Sequence, residues 1–196
     1  MKSSSNAVCA GRPRAFDTDA ALEKAMKVFW QKGYEGTSLA DLTEAMGINR
    51  PSLYAAYGNK EELFRKALDL YGASTIAYFA KALEEPTARA VIERLLYSSA
   101  DLMSNPDNPR GCLVLQAALC CGDDAENVRQ DLQTRRLKGQ DLIRCRLERA
   151  RQEGDLPSTV NPADLARYVS IVMNGLSIQA SNGAKCDEMK RAIEIA

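Results

Sequence analysis

Asn49-Arg50-Pro51-Ser52-Leu53-Tyr54-Ala55-Ala56-Tyr57-Gly58-Asn59-Lys60 is the stretch that decides how this chain is read. Asn49 can accept from the free backbone N–H groups that open a helix, and Pro51 falls in the first turn, where a missing N–H is tolerated. Leu53 and Tyr57, four apart, turn inward together with Ile48. That leaves Arg50, Pro51, Ser52, Tyr54 and Ala55 outside or on the flanks. Such a surface suits a DNA major groove. Arginine donates to guanine edges or phosphate, serine and tyrosine hydroxyls suit phosphate oxygens, and proline and alanine allow close approach or contact with a thymine methyl. On these residues alone, an ordinary short capped helix is the competing reading.

The residues upstream complete a motif. Leu22, Ala25, Met26 and Phe29 recur at i, i+3, i+4 and i+7, which predicts a first helix capped by Asp17 or Thr18 and closed near Gly33. Thr37 or Ser38 can cap a second helix with Leu39, Leu42 and Met46 facing in, and Gly47 ends it within three turns. After the turn at Gly47-Ile48-Asn49 the third helix begins, giving helix, tight turn, helix.

The stretch resembles the N-terminal signature of the TetR family of bacterial transcriptional regulators. The resemblance is carried by Thr37-Ser38-Leu39-Ala40-Asp41-Leu42, Ala45-Met46-Gly47-Ile48, Leu53-Tyr54 and Tyr57-Gly58-Asn59-Lys60-Glu61-Glu62-Leu63-Phe64. Two positions depart from the commonest family pattern: Ala56 stands where histidine is frequent and Tyr57 where phenylalanine is usual. The resemblance implies that Ser38 at the start of the second helix, Arg50, Ser52 and Tyr54 in the third, and Lys60 at the fourth touch DNA, Lys60 through phosphate. Thr37, Pro51, Tyr57 and, in the tail, Arg14 complete the candidate DNA-binding set.

Lysine plus arginine equals aspartate plus glutamate at 26 each, so the whole chain has no excess charge with which to neutralise phosphates. Locally the balance differs: no acidic residue lies between Glu44 and Glu61, whereas Arg50 and Lys60 do. Arg12 and Arg14 flank Pro13 in a short basic run that either enters a neighbouring minor groove or is a solvated tail.

With 196 residues and 45% hydrophobic content, the chain can hold one small and one larger domain. Helix formers dominate and no hairpin-like alternation occurs, so an all-α fold is expected: an N-terminal three-helix helix-turn-helix domain and a larger helical regulatory and dimerisation domain. The expected division is a flexible basic tail over 1–14, the DNA-binding domain over 15–75 and the effector-binding and dimerisation domain over 76–196. No run approaches the ~20 apolar residues of a membrane span, and Met1 to Gly11 lacks a secretion signal, so a cytoplasmic location without membrane association is expected.

Asn59 and Glu62 suit a capping box at the head of a long helix reaching about Leu83, which joins the two domains. A fifth helix carries Ile92, Leu95, Leu96 and Leu102 and stops at the Asn105–Pro109 loop. An apolar segment spans Gly111 to Cys121. Asp124 to Glu153 then reads as a helix with Val128, Leu132, Ile143 and Leu147 inside and its arginines outside. Asn161-Pro162 opens another, in which Leu165, Tyr168, Val169, Val172, Met173 and Leu176 follow the helical template and Ile171 and Ile178 are apolar on another side. Two apolar faces need two partners. The first set is therefore the candidate dimer interface, packed against a second copy together with a last helix, Cys186 to Ile195. A homodimer presents two recognition helices to half-sites of a double-stranded DNA operator about one turn apart, roughly 34–36 Å.

By resemblance the larger domain encloses a small-molecule effector. Tyr97, Cys112, Leu115, Gln116, Leu119 and Met173 mix apolar area with hydrogen-bonding groups and are the candidate lining, against the alternative of plain core. The mechanism this implies is a repressor whose effector moves the long linking helix and so respaces the recognition helices. Six cysteines, Cys9, Cys112, Cys120, Cys121, Cys145 and Cys186, show no metal-type spacing and there is no histidine, so neither a metal nor another cofactor is implied. Cys112, following Arg110 and Gly111, is the candidate for a thiol that senses oxidants or electrophiles. The missing histidine removes Ser-His-Asp and Cys-His catalysis and no glycine-rich phosphate loop occurs, which argues against an enzyme. A helical protein-interaction module is the remaining alternative.

Overall fold

The computed structural model describes residues 16–119 and 125–196, the side chain of Leu119 excepted. Arg14 and the cysteines Cys9, Cys120 and Cys121 lie outside the described residues. Among the described residues there are nine helices and no strand: α1 (Thr18–Lys32), α2 (Leu39–Met46), α3 (Arg50–Tyr57), α4 (Lys60–Leu83), α5 (Ala88–Met103), α6 (Leu113–Leu119), α7 (Glu126–Gln152), α8 (Pro162–Ser181) and α9 (Cys186–Ile193).

Side-chain caps fix the starts of the first four. Asp17, rather than Thr18, accepts from the N–H groups of Asp19 and Ala20. Ser38 and Asp41 form a capping box on α2, Asn49 accepts from the Ser52 N–H on α3, and Asn59 and Glu62 form a second box on α4. Gly47 turns α2 into α3 at φ +69°, a left-handed conformation that costs a residue with a Cβ roughly 1–2 kcal/mol.

Two cores follow. Phe29, Leu42, Leu53, Leu63 and Phe64 are fully enclosed where α1 to α4 meet, with the Phe29 and Phe64 rings edge to face at 4.9 Å. Leu113, Ala117, Val128 and Leu132 belong to this same core, so α6 and the first turns of α7 are packed against the N-terminal helices. The second core gathers Val91, Leu95, Ile143, Leu147 and Val169 from α5, α7 and α8. Burying each such side chain contributes about 1.5–3 kcal/mol. The long α4 serves both: Leu63 to Tyr71 lie in the first, and Tyr78, Phe79 and Leu83 pack on the second.

Two sequence expectations are corrected here. The arginines of α7 do not all face out, since Arg146 is 5% exposed. Its guanidinium donates to the carbonyls of Leu83 at 3.1 Å and Glu85 at 2.7 Å, closing the C-terminal end of α4, where a cation also meets the negative end of the helix dipole. The faces of α8 also divide differently from the expected dimer set. Val169 and Leu176 are buried in the chain's own core with Ala166 and Ala180, while Leu165, Val172 and Met173 are half-buried against it. The reason is that α8 packs on both α5 and α7, and this takes up its inward stripe. The outward stripe is Tyr168, Ile171 and Ile178, exposed at 45%, 61% and 43%, with Gly175 opening on free space between them.

Candidate nucleic-acid interface

The caps that start α2, α3 and α4 also set what those helices present. Ser38, Arg50, Pro51 and Tyr54 are exposed, Ser52 and Lys60 half-buried. Tyr54 keeps 47% of its surface open although its neighbour along the helix, Leu53, has none. An exposed aromatic next to a cationic side chain at a helix start is the surface that groove recognition uses.

Lys60, in the first turn of α4, holds its ammonium 4.6 Å from the centre of the Tyr34 ring, a cation–π contact. Burial pulls its pKa down, and the charges of Glu35 and Asp41 oppose that shift. A cation at a helix N-terminus opposes the dipole until an anion arrives beside it, so the position suits a phosphate.

Two of the sequence candidates are spent inside the molecule. Thr37 is 1% exposed and its hydroxyl donates to the Gly33 carbonyl at 2.6 Å. Tyr57 is 5% exposed and its hydroxyl donates to the Thr18 carbonyl at 2.7 Å, tying the end of α3 to the start of α1. The helical period already turns Tyr57 inward with Leu53, whereas Thr37 is buried directly beside the exposed Ser38.

An ion pair behind the surface was not foreseen from the sequence. Lys32, in the last turn of α1, reaches Asp41 at 2.6 Å. The other oxygen of Asp41 accepts from the Ser38 backbone N–H at 2.8 Å and from the Ser38 hydroxyl at 2.7 Å. The Lys32 contact first, and the Ser38 bonds next, hold the Asp41 carboxyl well below the usual carboxylate range. Ser38, an expected DNA contact, is therefore oriented through Asp41 by α1.

The effector candidates do not converge on one cavity. Tyr97 borders a cleft of about 490 Å³ between the start of α5, the α7–α8 loop and the end of α9, whereas Gln116 borders another of about 570 Å³ beside α1. Leu115 is buried, and Met173 is half-buried against the second core. Cys112 touches both cores, accepts from the Tyr71 hydroxyl at 3.4 Å, and gives its backbone N–H to the Ser177 hydroxyl at 2.9 Å. Burial pushes the hydroxyl pKa values of Tyr71 and Tyr78 up, that of Tyr78 to about 12. Among the described residues, no cluster of three or more His, Cys, Asp or Glu side chains could hold a metal ion, and no helix is long and apolar enough to cross a membrane.

A three-helix unit with an exposed cationic and aromatic recognition helix, docked on a larger helical body, defines a helix-turn-helix DNA-binding protein. Residues 21–67 match the family described as bacterial regulatory proteins, tetR family, and residues 86–196 match the tetracyclin repressor-like C-terminal domain. The chain is 35% identical over 181 residues to the HTH-type transcriptional repressor ComR of Escherichia coli K12, covering 91% of this chain and 86% of that one. It is 31% identical over 182 residues to the repressor BdcR of the same organism, with the same coverage of 91% and 86%. A solved structure of a cysteine-substituted form of the TetR family regulator CifR, complexed with 26-bp operator DNA, is 43% identical, covers 94% of this chain and 97% of that one, and superposes with a TM-score of 0.90. The chain belongs to the tetR family and is a DNA-binding transcriptional regulator.

Proposed function

We propose that the protein is a homodimeric, effector-responsive transcriptional repressor that reads a palindromic operator with the N-terminal turns of α3. The observation that carries this is the exposed row of Arg50, Pro51 and Tyr54, with Ser38 and Lys60 at the adjoining helix starts and no carboxylate in the chain between Glu44 and Glu61. ComR and BdcR are named as repressors, and the CifR structure holds operator DNA; both facts support the reading.

In this reading residues 15–75 form the DNA-binding unit, with Arg14 in the preceding basic tail as a further contact, and residues 76–196 receive the effector and a second copy. The exposed stripe Tyr168, Ile171 and Ile178, with Gly175 permitting close approach, supports α8 as the dimer contact. An effector acts by favouring one placement of α4, which serves both cores and is closed at its end by Arg146. The protein works by binding, not turnover, and acts in the cytoplasm where its DNA lies. A thiol trigger at Cys112 is the less favoured route, because that thiol is half-buried between two cores and bonded to Tyr71.

Selection from random-sequence DNA tests the proposal. The expected product is a two-fold symmetric site with half-sites about one helical turn apart. An enriched site without two-fold symmetry, or no enrichment, contradicts it.

A further inference from the structure

The cleft of about 570 Å³ beside α1 runs between the last turn of α1, the α5–α6 loop, α6 and the end of α8. Its volume is that of a small-molecule site. Trp30, Lys32, Pro109, Arg110, Gln116 and Ser181 are among its walls, and no carboxylate lines it. Trp30 is 2% exposed, and its indole N–H has no acceptor among the described residues. The indole packs edge to face on the Tyr71 ring at 4.8 Å, so Trp30 forms the floor of the cleft. Gln116 donates to the Arg110 carbonyl at 2.7 Å and Lys27 donates to the Asp107 carbonyl at 3.1 Å, which tie the loop to α6 and α1.

We infer that this cleft binds a small organic carboxylate with an apolar body and that its occupancy loosens the DNA-reading surface. The two cations, Lys32 and Arg110, supply the charge for the carboxylate, with arginine offering a fork of donors matched to its two oxygens. Pro109 and the small open edge of Trp30 supply apolar wall for the ligand's body. The coupling runs through Lys32, whose ammonium pairs with Asp41, the partner of Ser38 in the α2 capping box and the acceptor of its hydroxyl. A ligand carboxylate competes with Asp41 for that ammonium. Drawing it into the cleft removes the main support of the Asp41 carboxylate at the moment Ser38 must be held against DNA. The coupling half of this inference rests on the DNA-binding reading above; the binding half does not.

The chain has a single tryptophan, so selective tryptophan excitation reports on Trp30 alone. The full chain is titrated with benzoate at constant ionic strength, with acetate and chloride as controls, beside Arg110→Gln, which alters an exposed side chain outside the DNA surface. The expected result is a saturable emission change with benzoate only, a half-saturation about tenfold or more higher in Arg110→Gln, and weaker operator binding at saturating benzoate in the parent chain but not in the variant. No saturable response, or the same half-saturation in Arg110→Gln, overturns the site. Saturation without any change in operator affinity overturns the coupling. Failure of the ligand-free protein to bind any operator counts against the functional reading instead, and the fluorescence arm still decides the site.

Discussion

Tyr57→Phe separates a structural tyrosine from a DNA-contacting one. The ring is 5% exposed and the hydroxyl is committed to the Thr18 carbonyl at 2.7 Å, so the substitution leaves the packing in place and removes one internal hydrogen bond. A carbonyl in the first turn of a helix keeps its helical donor, which limits the cost to about 0.5–1.5 kcal/mol. For a chain of this size that lowers the thermal midpoint by roughly 2–4 °C per kcal/mol. Against a typical stability of about 5–15 kcal/mol the variant stays almost wholly folded, and its operator affinity stays within about twofold of the parent. A hydroxyl bonded to phosphate behaves otherwise: its loss costs about 1.5–3 kcal/mol of binding, roughly tenfold to a hundredfold in affinity. Urea denaturation and operator titration by fluorescence anisotropy, run on the same preparations, read both quantities. An unchanged urea midpoint with an affinity loss of about tenfold or more would refute the internal role of Tyr57. Thr37→Val follows the same logic, because the Thr37 hydroxyl is committed to the Gly33 carbonyl at 2.6 Å.

Arg146→Ala removes both charge-assisted bonds that close α4 and is expected to cost roughly 2–4 kcal/mol of unfolding free energy; a urea midpoint equal to the parent's would show that the Leu83 and Glu85 contacts contribute nothing. Asp41 has a folded pKa depressed from its ordinary 3.8, so its contribution to stability is present above that value and is lost as pH falls through the folded pKa. The stability advantage of the parent over Asp41→Asn therefore shrinks below about pH 4; an advantage that stays constant on acidification contradicts the pairing with Lys32. Ile171→Asp places a charge in the middle of the exposed α8 stripe and is expected to convert a dimer to a folded monomer with much weaker operator binding, read by sedimentation velocity; an unchanged sedimentation coefficient removes that stripe from the interface.

The helix starts were legible in the sequence because each is encoded within three residues: Ser38, Asn49, Asn59 and Asn161 cap where their side chains lie next to the N–H groups they accept from. The inward stripes of α1 to α3 were legible for the same local reason, a fixed angular period. The same period already turns Tyr57 inward; what it does not supply is the acceptor of the hydroxyl, the Thr18 carbonyl, 39 positions back in the chain. Thr37 bonds the Gly33 carbonyl only four positions back, and its residue type does not separate it from the exposed Ser38 beside it. Arg146 was placed outside because arginines usually are, and its acceptors, the carbonyls of Leu83 and Glu85, are supplied by an element more than sixty positions away. Both apolar sides of α8 could be named, but the side its own chain covers was assigned to the dimer, since a helix apolar on two sides does not say which one faces its own core. The cleft at Trp30 needs four separate segments to exist, which no periodicity reveals.

The account's central claim is tested most directly by titrating the purified protein against DNA flanking its own coding region across a salt series, beside Arg50→Ala and Tyr54→Ala. The expected result is sequence-selective, salt-sensitive binding that both substitutions weaken without changing the urea midpoint, since both side chains are exposed. Selective binding that survives intact in both variants would contradict recognition through α3.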